Sequence, residues 1–159
     1  MRSEEEVVRA MDTYADLVRR LCLVRLKSRE DTEDIFQTVF LKYLQHTKPF
    51  ANAEHEKAWF IQVTLNACRD LLRFWARRPT VPLEALAAQA APEPEDRSVL
   101  EAVLSLPEKY RDAVYLHYYE GYSAPEIGDL LGKNTNTVYT LLTRARALLR
   151  EKLGGEEDG

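Results

Sequence analysis

Apolar residues recur at helical spacing along almost the whole chain. Val7, Met11, Tyr14, Val18 and Leu21 mark one stripe, which predicts a helix from Glu4 to about Lys27. Asp31, Glu33 and Asp34 then sit where acids favour a helix start, and Ile35, Phe36, Val39, Phe40, Tyr43 and Leu44 carry a second helix to about His46. Pro49 breaks the pattern. It resumes from Glu54 to about Arg77, with Phe60, Val63, Ala67, Leu71 and Phe74 on one face. No segment sustains the period-two alternation of a strand, so the pattern predicts an all-α fold.

The periodicity lapses between Pro79 and about Pro94. Pro79, Pro82, Pro92 and Pro94 alternate there with an alanine-rich stretch, Ala85 to Ala91, a composition that reads as an inter-domain linker. The expected organisation is a helical domain over 1–78, a linker over 79–97, a second helical domain over 98–154 and an acidic tail over 155–159.

In the second domain, Ser105-Leu106-Pro107-Glu108 and Ser123-Ala124-Pro125-Glu126 both read S-x-P-E. Serine can cap the first free N–H groups, proline tolerates the first turn, and glutamate can bond back to the cap residue. The first is expected to open a helix from Leu106 to Glu120, ended by Gly121 as a left-handed cap. After the second, Ile127, Leu130 and Leu131 form a stripe, Gly132 supplies a turn, and Asn134 or Thr135 caps a further helix. Val138, Leu142, Ala145 and Leu149 line its inner face, and Gly154-Gly155 stops it. A short helix, a glycine turn and a second helix packed across the first make a helix-turn-helix, whose usual use is to place the second helix in a DNA groove.

Charge sharpens this picture once it is located. The net charge is -4. Glu84, Glu93, Glu95 and Asp96 face only Arg97 in the linker, and Glu156, Glu157 and Asp158 acidify the tail. Lys133, Arg144, Arg146, Arg150 and Lys152, by contrast, face only Glu151, while Arg69, Arg73, Arg77 and Arg78 face only Asp70. Segregation of this kind suits a phosphate-backbone partner.

Three sets of residues are candidates for function. With Val138 and Leu142 inward, Lys133, Thr135, Asn136, Thr137, Tyr139, Thr140, Thr143, Arg144 and Arg146 are placed to meet base edges and phosphates. On the third helix Trp59, Gln62, Asn66, Arg69, Arg73 and Arg77 fall close to one stripe. An aromatic, amides and arginines together can stack on and pair with unstacked bases, although core packing alone would explain Trp59. On the second helix Asp31, Asp34, Gln37, Phe40, Leu41 and Tyr43 combine acids, an amide and apolar groups, which suits a protein partner better than DNA.

Nothing points to catalysis. The chain has no glycine-rich phosphate loop, no H-E-x-x-H and no serine in a nucleophile elbow, and His46, His55 and His117 lack metal-ligand spacing. No enzyme activity, metal or cofactor is expected. Cys22 and Cys68 lie at apolar helix positions and read as buried thiols. No apolar run approaches the roughly 20 residues of a membrane span, and the acidic start, Met1 to Val8, is no secretory signal, so a cytoplasmic protein without membrane insertion is expected.

Several runs together resemble bacterial sigma factors. Asp31-Thr32-Glu33-Asp34-Ile35-Phe36-Gln37-Thr38-Val39-Phe40-Leu41 is similar to their D-x-E-D-x-x-Q-x-x-F-L run. Ala58-Trp59-Phe60, then Asn66, Asp70 and Arg73, resembles their A-W-L…N-x-x-x-D-x-x-R run. Leu104-Ser105-Leu106-Pro107, Tyr119-Glu120-Gly121, Glu126-Ile127, Leu131-Gly132, Thr137-Val138 and Arg144-Ala145-Arg146 continue the likeness in order through their C-terminal helix-turn-helix. The short chain with two domains and an acidic linker resembles the extracytoplasmic-function (ECF) subfamily. The match spans roughly Ala10 to Leu153.

The resemblance implies two all-α domains, like sigma regions 2 and 4. The face around Asp34, Gln37 and Phe40 would dock on the β′ clamp helices of core RNA polymerase. The Pro49–Lys57 loop and the Trp59–Arg73 stripe would capture the non-template strand of the −10 element of promoter DNA. The last helix would read the −35 element, the linker would thread into polymerase, and an anti-sigma factor would hold the protein inactive. The chain departs from the family pattern at Gln62, Leu65, Tyr139 and Leu141, where a basic residue is common, and at Lys133, where an apolar one is usual. Weaker or altered promoter recognition is therefore expected. One alternative is a sigma-like protein that binds polymerase or an anti-sigma factor without directing transcription. Another is a two-component output regulator, which would need an α/β receiver that the strandless N-terminal half does not offer.

Overall fold

The computed structural model describes residues 1–74 and 94–151. All the regular elements among them are helical. The chain divides into two compact units, Met1–Val81 and Pro82–Gly159.

In the first unit α1 (Glu4–Leu26), α2 (Arg29–Gln45) and α3 (Ala53–Phe74) each pack on the other two. Local signals fix where each begins. Ser3 accepts from the Glu6 N–H and Glu6 accepts from the Ser3 N–H, a reciprocal cap. Lys27 ends α1 in the left-handed region, and the next residue, Ser28, already caps α2 by accepting from the Asp31 N–H at 3.2 Å. That serine, rather than the acids from Asp31 onward, sets the start of the helix. Asn52 opens α3, its Oδ1 accepting from the His55 N–H at 2.8 Å and its carbonyl from Glu56 at 3.1 Å.

Because every helix meets two neighbours, the buried faces are wider than single stripes. On α1 Ala10 and Leu17 are buried with Tyr14 and Val18, whereas Met11, read as inward from spacing, is 38% exposed. On α3 Ile61, Thr64 and Cys68 are buried, while Val63 and Leu71 are only half-buried. Cys22 and Cys68 are both buried free thiols with their sulfurs 4.0 Å apart.

Two acidic residues, Asp31 and Glu56, are buried in this unit, and Glu56 links all three helices. Glu56 is 6% exposed. Its carboxylate accepts from Arg9 at 3.0 Å, Tyr14 Oη at 3.1 Å and Tyr43 Oη at 2.9 Å, so α3 is tied at once to α1 and α2. Burial pushes the Glu56 carboxyl up, but the Arg9 guanidinium and the two tyrosine hydroxyls outweigh it and hold the group below its ordinary value of 4.5. Burial beside that carboxylate pushes Tyr14 up to about 12.

The second unit holds α4 (Pro94–Ser105), α5 (Glu108–Val114), a π-helical turn (Tyr115–Tyr119), α6 (Ala124–Leu131) and α7 (Thr135–Leu149). Helix α4 begins within the stretch read as linker, so 94–97 are helical; the rest of that linker and the acidic tail lie outside the described residues. The two S-x-P-E runs behave differently. Ser123 forms the full reciprocal cap with Glu126. Ser105 does not cap: it is the last residue of α4, and its hydroxyl donates back to the Ala102 carbonyl at 2.7 Å. Helix α5 starts after Pro107 with no side-chain cap. The single helix expected from Leu106 to Glu120 is instead α5 running into the π turn, and Gly121 follows in the left-handed region at φ 76°.

Glu56→Ala is expected to destabilise the first unit by about 3 kcal/mol, the scale for stranding buried hydrogen-bonding partners of a removed charge. Denaturant unfolding measures it. Because the folded-state carboxyl titrates below its ordinary value, the Glu56 contribution is present above about pH 4.5 and is lost as pH falls through the lower folded value. The variant should therefore lose less stability than the native chain across that acid window.

Candidate nucleic-acid interface

The helix-turn-helix is built by three small devices. The Ser123 cap fixes the start of α6. Gly132 ends it at φ 69°, a conformation that disfavours a side chain. Asn134 then opens α7, its Oδ1 accepting from the Thr137 N–H at 2.8 Å. Gly128 contributes something the hydrophobic pattern did not reveal. The turn folds back so closely that a Cβ there would lie 2.6 Å from the Lys133 carbonyl oxygen, and the Lys133 N–H donates to the Gly128 carbonyl at 2.9 Å. Glycine in the middle of a helix costs about 1 kcal/mol relative to alanine; here it lets the turn close.

Helix α7 is anchored by Val138, Leu142 and Ala145, all buried. Lys133, Asn136, Thr137, Tyr139, Thr140, Thr143, Arg144 and Arg146 are exposed, and Thr135 is half-buried at the helix start. The residues picked from sequence for the last helix therefore lie on its accessible side. Arg146 is held from outside the helix: its Nε donates to the Tyr118 hydroxyl on the π turn at 3.1 Å. Leu141 is half-buried.

On α3 the candidate stripe changes character along its length. Trp59, Gln62 and Asn66 are half-buried, with the Gln62 and Asn66 amides 3.5 Å apart, and Arg69 and Arg73 are exposed. Arg77 lies outside the described residues. Trp59 sits in an aromatic cluster, 5.9 Å from Tyr43, 5.0 Å from His46, 5.9 Å from Phe50 and 5.1 Å from Phe60, ring centre to ring centre. Burial, then the nearby Arg2, Lys48 and His55 charges, lowers the His46 pKa, which favours the uncharged ring. The cluster offers flat uncharged rings beside amides, with arginines further along. Leu65 is buried, at 8% exposure.

On α2 the six candidates divide. Asp34, Gln37 and Leu41 are exposed along one stripe, Leu41 at 57%. Asp31, Phe40 and Tyr43 are not available as a surface: they are 4%, 5% and 0% exposed. Phe40 and Tyr43 face the core because α2 packs on both α1 and α3, and Phe40 lies against Phe36 and Phe60.

Residues 10–78 match Sigma-70 region 2, and residues 96–149 match Sigma-70, region 4. The chain is 30% identical over 141 residues to RNA polymerase sigma factor SigV of Bacillus subtilis, covering 87% of this chain and 85% of that one. The chain belongs to the sigma-70 family. It is also 34% identical over 137 residues to the ECF RNA polymerase sigma factor SigM of Mycobacterium tuberculosis, covering 83% of this chain and 70% of the relative. Its fold matches that of the sigma factor RpoE in complex with the anti-sigma factor NepR from Bartonella quintana, with a TM-score of 0.70, 16% identity, and coverage of 94% of this chain and 98% of that one. The all-α architecture and the family expected from the motifs both hold for this sigma factor. Among the described residues no helix is long and apolar enough to cross a membrane.

Sequence reasoning passed over Gly128 and the Tyr118–Arg146 contact. It also passed over the Ser3–Glu6 cap, which the S-x-x-E spacing could have disclosed. Gly128→Ala tests the close turn. Helix propensity alone predicts a gain, but the 2.6 Å approach to a backbone oxygen predicts a net loss of about 1–3 kcal/mol, the cost typical of overpacking. Thermal unfolding reads the sign, and a stabilised variant would mean that the turn yields.

Proposed function

We propose that this sigma factor binds core RNA polymerase through the Asp34–Gln37–Leu41 stripe of α2, presents the Trp59–Arg73 side of α3 to the melted −10 element, and reads the −35 element with α7. The observation that carries the reading is the division of α7 into an apolar side seated in its unit and an accessible side rich in amide, hydroxyl and guanidinium groups. Those groups recognise base edges and phosphates. Two family matches in the order of regions 2 and 4 support placing the −10 and −35 roles on separate units. A clamp-helix site on polymerase would meet the acid, the amide and the exposed leucine of α2; Asp31, Phe40 and Tyr43 would support that face from beneath. The protein has no chemical step of its own in this reading and works in the cytoplasm, where polymerase is. An anti-sigma factor is its expected regulator, as NepR is found bound to RpoE.

The rival, a polymerase-binding protein that directs no transcription, drew its force from the absent basic residues. Burial of Leu65 and half-burial of Leu141 weaken that argument. Gln62 and Tyr139 remain as polar or aromatic groups where phosphate contacts are common, so DNA binding by the free chain should be weak and only shallowly dependent on salt.

Run-off transcription with core polymerase separates the readings: a promoter-dependent transcript supports the proposal, and polymerase binding without any transcript supports the rival. Within that assay Asn136→Ala should relax preference at a single −35 position by about 1–3 kcal/mol. Arg144→Ala should weaken all promoters alike and lower the salt slope by about one. Asp34→Arg should reduce polymerase capture in a competition pull-down without altering the unfolding temperature.

A further inference from the structure

The connection between α2 and α3 is exposed at Thr47, Lys48, Pro49, Ala51 and Asn52, and it has no regular structure to hold it. Its far end is fixed locally by Asn52 and by the Ala51 N–H, which donates to His55 Nδ1 at 2.9 Å. Its near end is fixed by a residue remote in sequence. The Arg2 N–H donates to the Leu44 carbonyl at 3.0 Å. One guanidinium nitrogen donates to the Lys48 carbonyl at 3.0 Å and the other to Glu6 at 3.0 Å. The guanidinium also lies 4.4 Å from the centre of the Tyr43 ring and 5.1 Å from that of Phe50. Only 9% of the side chain is exposed.

The anchor for this clamp is itself preformed. Glu6 closes the cap of α1 with Ser3 and grips Arg2 with the same carboxylate. On the other side, Phe50 stacks parallel to Tyr43 at 6.4 Å and meets His46 at 5.2 Å and the Trp59 edge at 5.9 Å. Arg2 therefore fixes the rings against which Trp59 rests, without reaching the surface where a base would sit.

We infer that Arg2 is a positioning residue for base selection: by clamping Lys48 and Phe50 it sets the shape of the α2–α3 loop and the pose of Trp59 that together receive an unpaired base of the −10 strand. The inference rests on the proposed −10 role of α3. A guanidinium suits this task because it donates in two directions within one plane while stacking on rings; an ammonium keeps the charge but not the fork. Loss of the clamp should change which bases are accepted, not simply how much protein is folded.

The test uses the full chain, wild type, Arg2→Ala and Arg2→Lys, with core polymerase. Run-off transcription is measured on a promoter taken from transcripts that rise on overexpression, and on versions altered one position at a time in the −10 and −35 elements. For Arg2→Ala the preference for the native −10 sequence over its altered versions should fall by about tenfold, the scale of one charge-assisted hydrogen bond. Preference at the −35 element and affinity for polymerase should stay within about twofold. Arg2→Lys should fall between the two, and it carries the test if the alanine variant unfolds below the assay temperature. An equal loss on every promoter, with all preferences kept, would overturn the inference by showing a purely structural role, as would no change at all. If the wild-type protein shows no −10 preference, the reading of α3 fails and the inference falls with it; that failure is distinguishable because it is seen in the unaltered chain.

Discussion

Three helices can satisfy their apolar faces in several relative rotations, and a carboxylate inside the bundle removes most of that freedom. Glu56 accepts from Arg9 and Tyr14 of α1 and from Tyr43 of α2 simultaneously, so a rotation of either helix that withdrew one donor would leave the carboxylate short of a partner. A buried ion with its partners is weak evidence for net stability, but it discriminates sharply against arrangements that leave it unpaired. Everything functional in the first unit inherits this alignment. Glu56 lies one turn before Trp59 and Phe60, so fixing it fixes how α3 presents Trp59, Gln62 and Asn66. Tyr43, held by the same carboxylate, is also the ring on which Arg2 and Phe50 stack.

Helices and their approximate spans were legible because the apolar spacing is strong, and α7 was legible at Val138, Leu142 and Ala145, whereas Leu149, also read as inward, is half-buried. The inner residues Val138, Leu142 and Ala145 and the outer polar ones follow one period, since that helix buries a single face. Where a helix has two neighbours the period is a poorer guide. That is why Met11 came out exposed; Phe40 and Tyr43 lie on the apolar stripe and are buried as it requires, which removes them from the surface proposed for a protein partner. The repeated S-x-P-E motif misled for a different reason. Ser105 has a competing acceptor, the Ala102 carbonyl, because a helix already precedes it; Ser123 follows a left-handed glycine and a short extended stretch, and is free to cap. Long-range polar contacts such as Arg2 to Lys48 leave no periodic trace at all.

The balance of charge and shape has a functional logic. The outward side of α7 carries an amide, hydroxyls and a phenol ahead of its arginines, and only Arg144, Arg146 and Arg150 supply exposed cations along its later turns. Base edges are read by hydrogen-bonding groups, whereas affinity for DNA in general comes from phosphate neutralisation. A chain that is net acidic, at -4, gains little from non-specific attraction to nucleic acid. Selection and attachment are thereby separated. Polymerase would supply most of the hold, and the sigma factor would supply the choice.

The anchoring residues of α7 and its exposed polar residues alternate along one helix and share no side-chain duty. Val138, Leu142 and Ala145 keep the helix in place, and Asn136, Tyr139, Thr140 and Thr143 take no part in the interior. Duplicated copies of such a gene can therefore drift at the outer positions with little thermodynamic penalty. With the outer positions reading DNA as proposed, new regulons would become reachable by a few point changes on an unaltered scaffold, and paralogues would diverge in target long before they diverge in architecture.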